Sequence, residues 1–243
     1  MADAPLSGRI ALVTGASRGI GRAVAVGLAR AGAHVILAAR SLGALEAVDD
    51  EIRSAGDAAT LLQIDLRKGD RVDQLGPTIY QRWQHLDILV ANAGILGPLS
   101  PLGHTTDEGF LATIDINLIA NWRLIRTLDP LLKRSDAGRA IFVTSGAASG
   151  KYAYWGAYSA SKAGLDALVQ SWAAELTNTS VRANLINPGA TATQMRAKAF
   201  PGEDPATLPS PEDLVPLFLE LASPKCQRNG EIINFREWRE PAA

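Results

Sequence analysis

The sequence predicts an α/β fold in which a doubly wound parallel sheet of about seven strands carries helices on both faces. Short apolar runs, rich in β-branched residues, recur along the whole chain. Segments with helical periodicity separate them at the spacing of crossover connections, which favours parallel strand pairing. Four of these runs are almost continuously apolar rather than alternating, as is typical of strands that are covered on both faces.

The predicted elements follow one another without a linker that would separate two domains. Strands are predicted at residues 10–13, 34–38, 60–64, 87–91, 140–144, 181–186 and 231–235. Helices are predicted at residues 20–31, 105–132 and 158–176. A capping-box pattern from Thr105 to Glu108 marks the start of the second helix, and Pro130 is expected to disturb its end. The loop-rich stretch is 195–211, so we interpret residues 1–243 as a single domain.

Composition and charge exclude several classes of function. Lys and Arg number 24 and Asp and Glu 25, for a formal net charge of −1. This balance supplies no basic field for a nucleic acid and no polybasic patch for a membrane. The single Cys226 excludes a disulfide framework and a thiolate zinc cluster, and the three histidines lack ligand spacing, so we expect no metal site. Without a signal sequence or a spanning apolar run, the chain is expected to be cytoplasmic.

A glycine-rich turn joins the first predicted strand to the first predicted helix. Gly15, Gly19 and Gly21 lie in the segment Thr14-Gly-Ala-Ser-Arg-Gly-Ile-Gly21. Glycine permits a tight turn and lets backbone N–H groups approach a pyrophosphate, to which the helix N-terminus adds a favourable partial charge. Many α/β loops use glycine only for positive φ, so the position between a buried strand and an amphipathic helix carries the interpretation. The turn predicts a Rossmann-type dinucleotide site.

The end of the second predicted strand bears on which nicotinamide cofactor is bound. An NAD site carries Asp or Glu there for the ribose 2′-hydroxyl, whereas this chain has Arg40 and no carboxylate. Arg18 lies in the glycine turn, and two guanidinium groups suit a 2′-phosphate. The alternative is that both are solvated surface arginines. NADP(H) is therefore the preferred cofactor and NAD(H) the alternative. Asp65, after the third strand, either accepts from the adenine amino group or caps the next turn.

A tyrosine and a lysine stand one helical turn apart in the third predicted helix. At this spacing Tyr158 and Lys162 project from one face. A neighbouring ammonium favours the phenolate and lowers the pKa of the tyrosine, which suits proton exchange in carbonyl–alcohol interconversion. Ser145 follows a strand, where its hydroxyl can hold a substrate oxygen, and Asn117 is polar amid apolar neighbours. Each residue alone is more typical of a turn or a solvated face, but their joint occurrence indicates a site.

Together these residues resemble the short-chain dehydrogenase/reductase family, in its compact single-domain branch. The resemblance covers nearly the whole chain, from Gly8 to about Phe235. It rests on the glycine turn, on Asn92-Ala-Gly94, on Tyr158-Ser-Ala-Ser-Lys162 with Ser145 and Asn117, and on Asn187-Pro-Gly189 with Thr193. Within the family, the chain is most similar to the uncharacterised YciK-like oxidoreductases of bacteria.

The resemblance implies a role for each matched residue. Tyr158 is the expected general acid/base, and Lys162 binds the nicotinamide ribose and lowers the pKa of the tyrosine. Ser145 positions the substrate carbonyl, and Asn117 supports a proton-relay water near Lys162. The expected cofactor-binding residues are Gly15, Ser17, Arg18, Gly19, Ile20, Gly21, Arg40, Asp65, Leu66, Asn92, Ala93, Gly94, Tyr158, Lys162, Pro188, Gly189, Thr191 and Thr193.

Three functions stay open at this point. The leading hypothesis is an NADP(H)-dependent oxidoreductase that interconverts a ketone or aldehyde and an alcohol by hydride transfer, with Tyr158 as the general acid/base. The alternative is a catalytically silent NADP(H)-binding sensor or interaction module, which does not need an intact proton-transfer set. An acyl-carrier ketoreductase needs a basic docking patch, to which only Arg196 and Lys198 would contribute.

The segment after the sixth predicted strand is expected to close over the substrate. Residues 191–211 combine Met195 and Phe200 with hinge-forming Pro and Gly. The alternative is a disordered surface loop. Trp155, three residues before Tyr158, either lines the same pocket or packs at the start of the helix.

The expected partners are a small-molecule carbonyl or alcohol and further copies of this chain. The helices that begin near residues 106 and 158 carry more apolar and small residues than one buried stripe needs. This excess indicates subunit packing, and the resemblance implies a homo-oligomer, either a dimer or a homotetramer.

Overall fold

The computed structural model describes residues 4–54 and 58–240. Its strands are β1 (Ile10–Thr14), β2 (His34–Ala39), β3 (Thr60–Gln63), β4 (Ile88–Ala91), β5 (Arg139–Val143), β6 (Arg182–Asn187) and β7 (Ile232–Asn234). Its helices are α1 (Gly19–Arg30), α2 (Leu42–Arg53), α3 (Gly69–Asp73), α4 (Leu75–Trp83), α5 (Asp107–Ile114), α6 (Ala120–Leu132), α7 (Gly156–Glu175), α8 (Gln194–Ala199), α9 (Val215–Ala222) and α10 (Phe235–Arg239).

The seven strands pair in parallel into one sheet. Their order is β3-β2-β1-β4-β5-β6-β7, so the direction of winding reverses between β1 and β4. Open α/β sheets bind their ligands in the crevice at the carboxyl ends of the strands beside such a reversal. The predicted doubly wound parallel sheet is confirmed, and the fold places a candidate site at the ends of β1 and β4.

Two hydrophobic clusters cover the two faces of the sheet. On one face, Val24 and Leu28 of α1 cluster with apolar residues of β1 and β2, and Phe218 of α9, which packs against β5, belongs to the same cluster. On the other face, α4, α6 and α7 pack against the sheet, and the ring of Trp172 meets Phe142 edge-on at 6.2 Å between centroids. Because helices cover both faces, the central strands are apolar at nearly every position.

The helix predicted from residue 105 to residue 132 differs from the structure at its start and in its middle. Thr106 rather than Thr105 is the N-cap, since its Oγ1 accepts from Gly109 N at 3.2 Å. A π-helical turn, Asp115–Ile119, separates α5 from α6. Pro130 lies inside α6, which continues to Leu132. A π turn inserts an extra residue and redirects side chains, and Asn117 lies within this one.

The segment predicted as loop-rich contains a helix. Thr193 Oγ1 accepts from Arg196 N at 3.2 Å and so caps α8. Two 3₁₀ turns follow, Pro205–Thr207 and Pro211–Leu214. The base of the segment is closed by a hydrogen bond of 2.9 Å from Ala192 N to Pro209 O. Residues 192–209 therefore form a flap whose two ends are tied together.

Candidate active site

The glycine turn after β1 fits against the loop after β4 only because its glycines lack Cβ atoms. Gly15 has φ +65°, and a Cβ there would lie 2.9 Å from Asn92 Nδ2. At Gly21 a Cβ would lie 2.3 Å from the carbonyl oxygen of Gly15. Helix α1 begins at the end of this turn, and Arg18 makes no side-chain capping bond. The first N–H groups of α1 therefore face the crevice as a potential anion site.

Asn92 holds the glycine turn in place. Its Nδ2 donates to Thr14 O at 3.0 Å and to Gly15 O at 3.3 Å. Its backbone N–H donates to Thr14 Oγ1 at 3.0 Å. The Asn92 amide is thus used within the protein to join the ends of β1 and β4. Ala93 contributes to the same junction, because its N–H also donates to Thr14 Oγ1, at 3.1 Å.

Tyr158 and Ser145 lie together at the carboxyl end of β5. Tyr158 projects from the first turn of α7 and is 7% exposed, and Ser145 directly follows the strand. Burial raises the pKa of the Tyr158 phenol above its usual value, and a hydrogen bond with the Ser145 hydroxyl opposes that shift. The sequence predicts the opposite direction, through Lys162. The protein's own residues therefore favour the protonated phenol, the form that donates a proton.

Lys162 is buried one turn after Tyr158. Its Nζ donates to Val143 O at 2.7 Å and lies 5.8 Å from the centroid of the Tyr158 ring. Burial lowers the pKa of Lys162 to about 8, and the carboxylate of Asp166 opposes this shift. Burial in turn raises the pKa of Asp166. Sequence reasoning missed Asp166, although its position one turn after Lys162 on the same helical face was a signal.

Asn117 connects the loop after β4 to α7. It is fully buried; its Oδ1 accepts from Ile95 N and its Nδ2 donates to Ile95 O, both at 2.9 Å. The same Nδ2 also donates to Ser161 Oγ at 3.0 Å. Its backbone carbonyl accepts from Asn121 Nδ2 at 2.8 Å. Sequence reasoning missed Ser161, because a buried polar pair between distant segments leaves no local pattern. It also missed Asn121, although Asn121 follows Asn117 by four residues.

Arg40 and Asp65 lie on a cavity at the ends of β2 and β3. The cavity measures about 840 Å³ and is also lined by Arg67 and Leu75. Asp65 forms an ion pair with Arg67 at 2.6 Å, and this hydrogen bonding lowers the pKa of Asp65 to about 2. Arg18 does not line the cavity; its Nη1 donates to Gln194 Oε1 of α8 at 2.9 Å. In this structure the Arg18 side chain thus contacts α8, and Arg40 lies on the cavity.

The residues at and after the end of β6 contact both the glycine turn and the segment that contains Ser145. Asn187 Oδ1 accepts from Gly146 N at 3.0 Å and from Gly189 N at 3.1 Å. Thr191 Oγ1 donates to Pro188 O at 3.1 Å and is buried. A Cβ on Gly19 would lie 3.6 Å from the methyl group of Thr193. Residues 187–193 thus lie between the glycine turn and the Ser145 segment.

Aromatic side chains cover Tyr158 on the side of the flap. The centroid of the Trp155 ring lies 5.7 Å from that of Tyr158, in an edge-on arrangement, and 5.7 Å from that of Phe200. Tyr152 meets Trp155 at 5.6 Å. Trp155, the residue before α7, thus contacts Tyr158 of the first helical turn and Phe200 of the flap. Met195, the other apolar residue expected to close the site, is 37% exposed.

Two further findings concern metals and membranes. In the described ranges, 4–54 and 58–240, His, Cys, Asp and Glu nowhere form a group of three that could hold a metal ion. Within the same ranges, no helix combines the length and the apolar character needed to cross a membrane.

Residues 9–204 match the family model of the short chain dehydrogenases. The Escherichia coli (strain K12) protein named uncharacterized oxidoreductase YciK is 38% identical over 240 residues, covering 97% of this chain and 95% of that protein. A short chain dehydrogenase structure from Pseudomonas syringae is 41% identical, with a TM-score of 0.92 over 96% of both chains. Another, from Escherichia coli CFT073 in complex with NADPH, is 37% identical, with a TM-score of 0.92 over 97% of this chain and 100% of that chain. The resemblance predicted from the sequence is confirmed, and the chain belongs to the short-chain dehydrogenase/reductase family of oxidoreductases.

Proposed function

We propose that this protein is an NADP(H)-dependent oxidoreductase that interconverts a ketone or aldehyde and an alcohol, with Tyr158 as the general acid/base. The observation that carries the proposal is the position of Tyr158 and Ser145. Both lie at the carboxyl end of β5, at the same edge of the sheet as the glycine turn, and Tyr158 stands one helical turn before the buried Lys162. Membership of an oxidoreductase family agrees with this arrangement.

The residues at the carboxyl ends of β1 and β4, where the direction of winding reverses, suit a dinucleotide. The glycine turn leaves a cradle that a Cβ would fill, and the uncapped start of α1 offers N–H groups to a pyrophosphate. A Cβ on Gly94 would lie 3.1 Å from Asn117 Oδ1 and 3.7 Å from Lys162 Nζ, so glycine keeps this floor open. The remaining binding residues proposed are Ser17, Arg18, Gly19, Ile20, Asp65, Leu66, Asn92, Ala93, Pro188, Gly189, Thr191 and Thr193. The bound cofactor would supply the hydride.

The chain's own residues would then bind the reacting oxygen and transfer its proton. The Ser145 hydroxyl holds the substrate carbonyl oxygen next to the phenol. Tyr158, whose protonated form is further favoured by burial because burial raises its pKa, donates a proton to that oxygen during reduction and takes it back during oxidation. The buried Lys162 ammonium lies one helical turn after Tyr158 and stabilises negative charge on the phenol oxygen. Asn117 fixes the loop after β4 against α7, so it keeps the floor of the site in place.

Arg40 is proposed to bind the 2′-phosphate of NADP(H). Arg40 stands where an NAD enzyme carries a carboxylate, and the Escherichia coli CFT073 relative was solved with NADPH. A charge-assisted hydrogen bond contributes about 1.5–3 kcal/mol. Arg40→Ala should therefore raise the Kd for NADPH about 10- to 100-fold and leave the Kd for NADH unchanged, as measured by fluorescence titration. Arg53→Ala, a surface arginine paired with Asp49, is the control. Equal weakening of both cofactors would contradict the assignment.

The function is tested by following NADPH oxidation with ketones, aldehydes and acyl thioesters. We expect turnover with at least one class of carbonyl and saturation in NADPH. Binding of NADPH without turnover on any carbonyl would instead favour the silent sensor or interaction module. Preference for acyl thioesters would favour the acyl-carrier ketoreductase. Against that function, Arg196 is paired with Glu203 at 2.7 Å and stacks on Phe200, so it adds no unpaired charge to a docking patch.

We also propose that copies of this chain associate. Leu111, Ile119 and Trp122 are 57%, 37% and 40% exposed along α5, the π turn and α6. Contiguous exposed apolar groups on helices are typical of protein interfaces. We expect a dimer or tetramer by light scattering at micromolar concentration, and Trp122→Glu should shift the protein towards monomer. A monomer for the unaltered chain would refute this assignment.

A further inference from the structure

Three aromatic rings form a continuous wall beside the proposed reacting oxygen. Trp155 touches Tyr158 with its edge, and Phe200 and Tyr152 lie against Trp155 at 5.7 Å and 5.6 Å. A Cβ on Gly146, the residue after Ser145, would lie 4.0 Å from the Tyr152 hydroxyl. The wall thus reaches both Tyr158 and the Ser145 segment. A group attached to the carbonyl on this side would lie against it.

The wall stays accessible although its rings contact one another. Tyr152 is 50% exposed, and Trp155 and Phe200 are half-buried. Apolar rings that are only partly covered at a site gain free energy when a ligand covers them. Phe200 lies directly after α8 on the flap, whereas Trp155 lies at the start of α7. A substrate group that contacts both rings would therefore also hold the flap against the body of the protein.

The Arg196 charge beside Phe200 is already paired. The Arg196 guanidinium lies 3.8 Å from the centroid of the Phe200 ring and is bound by both carboxylate oxygens of Glu203. An anionic substrate group would have to displace Glu203 to reach Arg196, and a cationic group would meet Arg196 itself. The wall accordingly suits a neutral group.

We infer that the substrate carries a neutral, planar aromatic group within about one carbon of its carbonyl, packed against Trp155 and Phe200. This inference rests on the proposed function. In the reduction, the carbonyl carbon gains the hydride from NADPH, the oxygen gains the Tyr158 proton, and the products are the aryl-substituted alcohol and NADP⁺. Aromatic pairs contribute about 0.5–1.5 kcal/mol beyond the area that they bury, and a puckered saturated ring lacks this contribution.

The test compares 1-phenylbutane-2,3-dione with 1-cyclohexylbutane-2,3-dione. In both compounds a CH₂ group separates the ring from the reacting carbonyls, so the two differ in the planarity of the ring and not in conjugation between ring and carbonyl. For the unaltered protein we expect kcat/KM to be about two- to twelvefold higher for the phenyl compound. In Phe200→Leu and in Trp155→Leu the ratio should fall towards one. Tyr80→Leu, an equal change at an exposed ring on α4, should leave the ratio unchanged. A para-carboxylate on the phenyl ring should lower kcat/KM.

The outcomes distinguish a failure of the aromatic inference from a failure of the proposed function. Equal kcat/KM for the two rings, or a preference that persists in both wall variants, overturns the aromatic inference and leaves the proposed function standing. No turnover with any carbonyl overturns the proposed function. Calorimetric binding of the same two diketones to the Tyr158→Phe protein with NADPH then measures the ring preference without catalysis. Phe200 lies on the flap rather than in the core, so its variant is expected to fold even if Trp155→Leu does not.

Discussion

Replacing Tyr158 with phenylalanine should lower kcat for carbonyl reduction by a factor of about 10² to 10⁴, the usual contribution of a positioned general acid. The substitution removes one oxygen from a ring that keeps its contact with Trp155. The fold and the Kd for NADPH should therefore change little. Stopped-flow or steady-state NADPH oxidation measures the loss, and fluorescence titration measures the binding of the cofactor.

The matched control is Tyr80→Phe, which removes a phenol oxygen from a ring that is 45% exposed on α4. Its kcat should equal that of the unaltered protein. Full turnover by the Tyr158→Phe protein would remove the phenol from the mechanism and leave the family and the fold as the remaining conclusions.

Replacing Lys162 with methionine should abolish most turnover and at the same time raise the free energy of unfolding at pH 7. The loss of turnover follows from removing the cation next to the phenol. The gain in stability follows from removing a fully buried charge whose one hydrogen bond in the described residues is to Val143 O. A lysine pKa lowered from 10.5 to about 8 by burial corresponds to about 3 kcal/mol of folding free energy that the methionine variant does not lose at pH 7.

The pH dependence of stability provides a second readout. The pKa of Lys162 is about 8 in the folded protein, against 10.5 in an exposed lysine. Between these values the unfolded chain binds more protons than the folded one, so the lysine's contribution makes unfolding less favourable as pH rises. Below about pH 8 the cost of burying the charge is present in full. The methionine variant should lack this rise, and urea denaturation at pH 7 and near pH 10 measures the difference. A variant less stable than the unaltered protein at pH 7 would contradict the prediction.

The doubly wound sheet could be predicted because its signals are local. Buried parallel strands such as Ile88–Ala91 are continuous apolar runs, and an amphipathic segment such as α1 repeats its apolar residues with the helical period. The sequence places the start of α5 one residue too early, because the choice between two neighbouring cap residues depends on a small difference in free energy. Thr105 and Thr106 can both cap a helix, and only the path of the preceding 3₁₀ turn, Leu102–His104, places Thr106 at the cap.

The candidate site could be predicted as a set of residue types, but not as a set of interactions. The spacing of Tyr158 and Lys162 is a property of the helix, so their common face needs no tertiary information. The hydrogen-bond partners of Asn92 and Arg18, by contrast, lie on segments that are distant from them in the chain. No local pattern shows that Asn92 would hold the glycine turn, or that Arg18 would reach α8.

From the order of its residues alone, this chain determines a parallel α/β sheet, a glycine turn at its first strand and a tyrosine–lysine pair on one helix. The tertiary structure decided how those groups are charged and what surrounds them. Burial raises the pKa of Tyr158 and lowers that of Lys162, because the free energy of an ionised group depends on how much water the surrounding elements exclude. Which elements those are is settled only when β5, α7 and the flap come together.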